Sequence, residues 1–288
     1  MRDVSRSEAS HGIAKSDNFG TRTFEMIKVA KKCKLEYWTK DQEVKNLGDY
    51  LGEVMLDFAK IPMTDRGTPT YFSVGTYLSS YWWGMNKGVK IAWGGGSCGF
   101  DFPEISNEDI ILAVRGPLTR KWLNLPEDTV MGDPALLLPR LYKPINMNCG
   151  PILVENFHSN LQVPATKMNM IKKISMKVFD GNWRVIVDKI YSSDFVLANS
   201  LHSAIIAHAY GRPWAFYSDE QSGTKIPLSL RWRDWFAFIG VPEEDSNPVG
   251  NLIDAINWWD NHGSKIKTRN LECLVDRCPW TSLRRILK

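Results

Sequence analysis

The chain has 288 residues, 43% of them hydrophobic and 24% charged, with a net charge of +4. That length suits two α/β domains of ordinary size, with one large domain as the alternative, and the composition excludes a disordered chain. The dispersed, mildly basic charge does not favour a duplex-DNA binder; it fits phosphate- or carboxylate-bearing substrates, or a place beside an anionic membrane surface.

Residues 1–33 are polar and weakly periodic, and read as a loose N-terminal arm with one helix near Phe24–Lys32. Lys34–Trp38 reads as a strand. Leu47, Tyr50, Leu51, Val54, Met55 and Phe58 recur at helical spacing. Tyr71–Val74, Val89–Trp93 and Ile110–Val114 are apolar runs of strand length, followed by Gly75, Gly94-Gly95-Gly96 and Gly116. Strand, glycine turn and helix in succession predict a parallel α/β sheet. Pro and Asn residues between Leu138 and Ile152 suggest a linker. Beyond it the alternation resumes with strands at Ile152–Glu155, Lys173–Val178, Phe195–Ala198 and Trp214–Tyr217. Trp183, Ile186, Val187 and Ile190 make one helical stripe, and Ser203–Tyr210 is a second helix ended by Gly211. From Val249 the chain is again helical, with Leu252, Ile253, Ile256 and Trp259 on one face. The expected architecture is therefore α/β: two Rossmann-like parallel-sheet domains, 34–145 and 146–262, facing a cleft, then a helical tail over 263–288. In such sheets ligands bind beyond the carboxyl ends of the strands.

The five Cys residues, at 33, 98, 149, 273 and 278, have no framework spacing, which predicts reduced thiols and a cytoplasmic protein. His262 lies too far from Cys273 and Cys278 for a zinc knuckle, so no metal site is expected. No apolar stretch has membrane-spanning length, and Met1–Ser5 carries no apolar signal core. Several of the 12 Trp residues are expected at a cleft or contact surface, the majority in cores.

Candidate site residues stand just after the strands. Asn46 and Asp49 open the first helix, as a capping pair or as a turn facing the cleft. Gly75 and Gly95 sit in turns that let backbone approach a ligand, or that simply turn. Arg115 ends a strand beside Pro117, a good first helical residue, and that geometry suits an anion; Arg120 follows a turn later. Asp133 before Pro134 is an N-cap candidate with a possible site role. Asn199, Ser200 and His202 are delivered by a buried strand to a helix start. His202 is the candidate for catalysis or donor binding, whereas His208, deeper in that helix, reads as structural. Arg231 and Arg233, with Trp232 between them, could bind an anion or stack on a sugar ring, or simply start an exposed helix.

Taken in order, these runs resemble the polysaccharide pyruvyl transferases. The resemblance is carried by Asn46-x-Gly48-Asp49, Gly75-Thr76, Trp93-Gly94-x-Gly96, Val114-Arg115-Gly116-Pro117 and Gly132-Asp133-Pro134-Ala135-Leu136-Leu137. Ser200-Leu201-His202 and Ala207-x-Ala209-Tyr210-Gly211-x-Pro213 complete it, over about residues 35–245. The Arg231–Gly240 stretch is similar to the subgroup acting in bacterial exopolysaccharide synthesis. The resemblance implies a fold like that of the GT-B glycosyltransferases, phosphoenolpyruvate as donor and a pair of sugar hydroxyls as acceptor. It places Arg115 and His202 at the donor. This chain has Ser200 where some members carry an Arg, and His158 is the nearest residue to the His that many members carry after the first strand of the second domain. The expected reaction is ketal transfer with release of phosphate. Arg115, helped by Arg231 or Arg233, would hold the anionic groups, His202 would act as acid or on the phosphate, and Asp49 or Asp133 would be the base. No cofactor is expected and no nucleic-acid partner; a lipid-linked oligosaccharide acceptor would place the protein at the inner face of the membrane. The alternatives are a nucleotide-sugar-dependent glycosyltransferase of the same fold and a non-catalytic carbohydrate-binding protein.

Overall fold

The computed structural model describes residues 32–67, 69–158, 171–218 and 228–288. The expected N-terminal arm and its helix lie outside these residues, apart from Lys32 and Cys33.

The chain opens with β1 (Lys34–Leu35) and β2 (Lys45–Asn46), then helix α1 (Leu47–Phe58), β3 (Thr70–Phe72), helix α2 (Ser80–Met85), β4 (Lys90–Gly95) and β5 (Ile110–Val114). Helix α3 (Pro117–Trp122), β6 (Val130–Met131), a 3-10 turn (Pro134–Leu137) and helix α4 (Leu138–Leu141) complete the first half. Five of the strands form one sheet, in the order β1-β3-β4-β5-β6, every pair parallel. The second half holds β7 (Ile152–Glu155), β8 (Lys172–Ser175), β9 (Lys177–Val178), helix α5 (Trp183–Ser192), β10 (Val196–Ala198), helix α6 (Leu201–Ala209) and β11 (Trp214–Phe216). A second parallel sheet runs β11-β10-β7-β8.

The α/β class and the parallel pairing agree with the sequence reading. The stretch Lys173–Val178, however, is not one strand. It breaks at Met176, and β9 leaves the sheet to pair antiparallel with β2 from the first half. Met176 is fully buried in the core at that break, and its carbonyl accepts the amide of Leu47 at 2.8 Å.

Helix α1 is the wall shared by both sheets. Leu47, Leu51 and Val54 pack in one core with Ile152, Val154 and Val196, while Met55 and Leu56 pack in another with Tyr71, Ile91 and Trp93. Its apolar residues cover more than one stripe, which suits a helix buried between two layers.

Helix α7 (Leu228–Ile239) follows, burying Trp232, Trp235 and Phe236 against Trp214 and Phe216. Helix α8 (Leu252–Asn261) departs from expectation. Its buried side is Ala255, with Trp258 and Trp259 packed partly, whereas Ile253 is 73% and Ile256 41% exposed. Of the stripe read from the sequence, Leu252 and Trp259 pack on the core, whereas Ile253 and Ile256 face out.

Helices α9 (Glu272–Asp276) and α10 (Thr281–Leu287) do not trail away. They return to the first sheet, where Leu274, Val275, Trp280 and Leu283 join its core and Trp93 Nε1 donates to the Leu274 carbonyl at 2.9 Å. Among the described residues no helix is long and apolar enough to cross a membrane.

Candidate active site

The segments after β3, β4, β7 and β10 meet at one cavity of about 490 Å³, a volume usual for small-ligand sites. The carboxyl ends of strands from both sheets thus contribute to its lining. Thr76 comes from the first of these segments, Cys98 from the second, Asn156 and His158 from the third, and Asn199, Ser200 and His202 from the fourth. Asn46 and Asp49 enter from the start of α1, and Arg231 from α7.

His202 is the hub. It sits in the first turn of α6, 7% exposed, against Gly48 at the start of α1. A Cβ at Gly48 would lie 2.1 Å from His202 Nδ1, so only glycine lets the two helix starts approach so closely. Neither N-cap side chain, Asn46 of α1 or Ser200 of α6, caps its own helix. Two positive helix ends therefore face one cavity.

Two carboxylates flank this imidazole. Asp133 Oδ2 lies 3.4 Å from His202 Nε2, and both atoms are buried with no hydrogen-bond partner among the described residues. The other oxygen of Asp133 accepts the Ala135 amide at 3.0 Å, the predicted N-cap, so the carboxylate is fixed behind the ring. Asp49 is on the cavity side, where Asn46 Nδ2 donates to its Oδ2 at 2.7 Å. This is a side-chain pair in place of the capping box read from the sequence. Burial pushes the Asp49 carboxyl above its usual range; His202, the Asn46 amide and Arg231 pull it back, and Asp133 adds to the rise. Gly75 is needed below it. Its φ is +130° and a Cβ there would lie 2.6 Å from Asp49 Oδ1.

The arginines fall differently from expectation. Arg115 is fully buried and does not line the cavity. The anion at the start of α3 is the protein's own Asp234. Its Oδ1 accepts the amides of Leu118 and Thr119 at 2.9 and 3.0 Å, its Oδ2 accepts the Thr119 hydroxyl at 2.6 Å, and Arg115 Nε lies 3.6 Å from Oδ2. The motif Val114-Arg115-Gly116-Pro117 thereby latches the first sheet to helix α7. A Cβ at Gly116 would stand 2.4 Å from the Asp234 carbonyl oxygen.

Arg231 lines the cavity instead. Burial, then the nearby Arg115 charge, pushes its guanidinium below the usual range, and Asp49 opposes this. The structure does not bring Arg120 or Arg233 to the cavity. Arg120 ties the Glu127 carbonyl, and Arg233 pairs with Glu243 at 3.2 Å on the surface. Gly95 also stays behind the lining, under the Tyr77 ring, whose hydroxyl accepts its amide at 2.8 Å.

His158 is at the rim, 4.6 Å between ring centroids from Trp38, which also meets Phe157 edge-on at 5.1 Å. Tyr81, Trp82 and Phe100 stand elsewhere on the lining, with Tyr81 61% and Phe100 59% exposed. These aromatics were not singled out by sequence reasoning. The expectation that several Trp residues stand at a cleft covered Trp38 and Trp82 in general terms only. His208 is structural as expected: it packs edge-on against Trp214 and Trp235, and burial lowers its pKa to about 4.

A buried acid–imidazole–acid row, a guanidinium and two helix starts around one cavity have the chemistry to hold an anionic substrate. Residues 105–220 match the family model described as polysaccharide pyruvyl transferase. The chain is also 27% identical over 229 residues to the succinoglycan biosynthesis protein ExoV of Rhizobium meliloti (strain 1021), covering 76% of this chain and 69% of that protein. No solved structure matches. The family model and the relative both support a polysaccharide pyruvyl transferase, the class of enzyme that the sequence motifs resemble.

Proposed function

We propose that this pyruvyltransferase takes its pyruvyl group from phosphoenolpyruvate and places it, as a ketal, on two hydroxyls of a sugar in an exopolysaccharide precursor, releasing phosphate. The observation that carries the reading is His202 held between Asp49 and Asp133, in a cavity that also receives Arg231. The ExoV similarity supports an exopolysaccharide acceptor. The two parallel sheets contributing to one cavity suit a GT-B-like arrangement, and a lipid-linked acceptor would put the work at the cytoplasmic face of a membrane.

In this scheme Arg231 and the two helix starts hold the donor's anionic groups. Asp49, whose burial favours the protonated form, gives its proton to the donor's methylene carbon, making a methyl group and an oxocarbenium-like centre. A sugar hydroxyl attacks that centre. His202, oriented by Asp133, takes the hydroxyl proton. The C–O bond to phosphate then breaks, the phosphate leaves with a proton, and the second hydroxyl closes the ring and re-protonates the site. One hydroxyl proton ends in the new methyl group and the other on phosphate, so the cycle balances. The aromatic rim gives flat apolar faces on which a sugar ring can stack.

The test is incubation with phosphoenolpyruvate and a panel of glycosides. A product heavier by one pyruvyl group less water, with equimolar phosphate, is expected. Turnover of a nucleotide sugar with none of phosphoenolpyruvate would overturn the reading.

A further inference from the structure

The buried Arg115 has no direct path to the cavity. Its Nη1 donates to Thr76 Oγ1 at 3.2 Å, and its Nη2 lies 3.5 Å from the Ser97 carbonyl. Asp234 holds it from behind. Gly96 closes the space above: a Cβ there would be 2.2 Å from Nη2. The guanidinium is wedged in place and cannot swing forward.

Thr76 is different. It is half-buried and part of the cavity lining. A threonine hydroxyl has one hydrogen and two lone pairs, while a guanidinium can only donate. The contact with Arg115 therefore occupies a lone pair of Thr76 and leaves its O–H to donate elsewhere. No acceptor for that hydrogen is present among the described residues. A hydroxyl polarised by a fixed cation, with its donor unspent and the cavity in front of it, is placed to donate to an anionic oxygen bound there.

We infer that Thr76 is a direct anion-binding residue of the site, donating to a carboxylate or phosphate oxygen of the donor, and that Arg115 is the positioning residue that acts through it. This rests on the reading of phosphoenolpyruvate as donor. Arg231 meets the anion as a full charge; Thr76 meets it as a neutral group that carries part of a buried one. The Arg115 charge already bears on Arg231; acting through a hydroxyl, Arg115 reaches the anion without entering the cavity itself.

The test uses the full-length protein, phosphoenolpyruvate and an acceptor that the wild type pyruvylates. Thr76→Val keeps the shape and removes the donor. It should raise KM for phosphoenolpyruvate about 10- to 100-fold, the range for a lost hydrogen bond to a charged group. KM for the acceptor and the melting temperature should stay near wild type, and Thr76→Ser should restore the donor KM to within a few-fold. Inhibition by inorganic phosphate and by pyruvate identifies the end that is held, because only the matching inhibitor weakens in Thr76→Val. Arg115→Lys should raise the donor KM in the wild-type background and hardly further in Thr76→Val. An unchanged donor KM in Thr76→Val, or a loss confined to melting temperature or kcat, overturns the inference. A wild type that ignores phosphoenolpyruvate with every acceptor overturns the donor reading instead, so the two failures are told apart.

Discussion

Two buried clusters of charge lie beside the same cavity, and they are built on opposite terms. Around Asp234 its oxygens are well supplied: two backbone amides and a hydroxyl donate to the carboxylate, with Arg115 alongside. Around His202 the row is left incomplete, with Asp133 Oδ2 and His202 Nε2 facing each other at 3.4 Å without partners. A carboxylate whose oxygens are all supplied fixes one conformation, even though Arg115 Nε beside it makes no hydrogen bond. An unsatisfied network is tolerated in a folded protein where substrate or proton transfer completes it. On the proposed reading the first cluster mainly holds the fold and positions Arg115, and the second carries the chemistry, although the family resemblance drew on motifs from both.

Substitutions can break or sharpen this contrast. The largest effect is expected at Asp49. Asp49→Asn should lower kcat about a hundred- to ten-thousandfold in steady-state assays, with the protein no less stable. Because burial raises the Asp49 pKa, the native state holds its proton more tightly than the unfolded state does. Wild-type stability should therefore fall as pH rises from the unfolded value through the native one, and the variant should lack that slope. Next comes Asp234→Ala, which strands the Arg115 charge and uncovers the start of α3. It should cost about 3–5 kcal/mol in chemical denaturation. If it unfolds no more easily than wild type, the two clusters are not distinct. Asp133→Asn should be milder, with kcat down about tenfold to a hundredfold through a misoriented His202 and donor KM little changed. The smallest effect is at His208, outside both clusters. Its pKa is lowered from 6.5 to about 4 by burial, so the unfolded state takes up a proton that the native state refuses across that window. Stability should decline as pH falls from 6.5 to about 4, and His208→Gln should flatten the decline in thermal melts at stepped pH.

The contrast also shows what was legible in the sequence. Strand–glycine–helix periodicity is local, so the parallel order, the span of α1 and the burial of Trp183, Ile186, Val187 and Ile190 could be read directly. That Asn46, Asp49, Asn199, Ser200 and His202 line the cavity could be anticipated because position after a strand is also local. The place of Arg115 was not. Whether a strand-end guanidinium meets substrate or a buried carboxylate depends on Asp234, more than a hundred positions away. The pairing of β2 with β9 and the return of α9 and α10 to the first sheet are likewise long-range, with no periodicity to announce them. Ile253 and Ile256 show the remaining limit. An apolar stripe specifies a period, but the covered side is set by Leu252, Ala255, Trp258 and Trp259, half of which the stripe did not include.

The closing role of residues 271–287 bears on how the molecule is made. Tyr71, Ile91, Trp93 and Leu112 belong to strands synthesised early, yet they share a core with Leu274, Val275, Trp280 and Leu283. On the ribosome those strands must wait, partly uncovered, until residues 271–287 have been made. The second parallel sheet takes from that segment only the partly buried Leu271, so it can close earlier, while the first still exposes apolar surface.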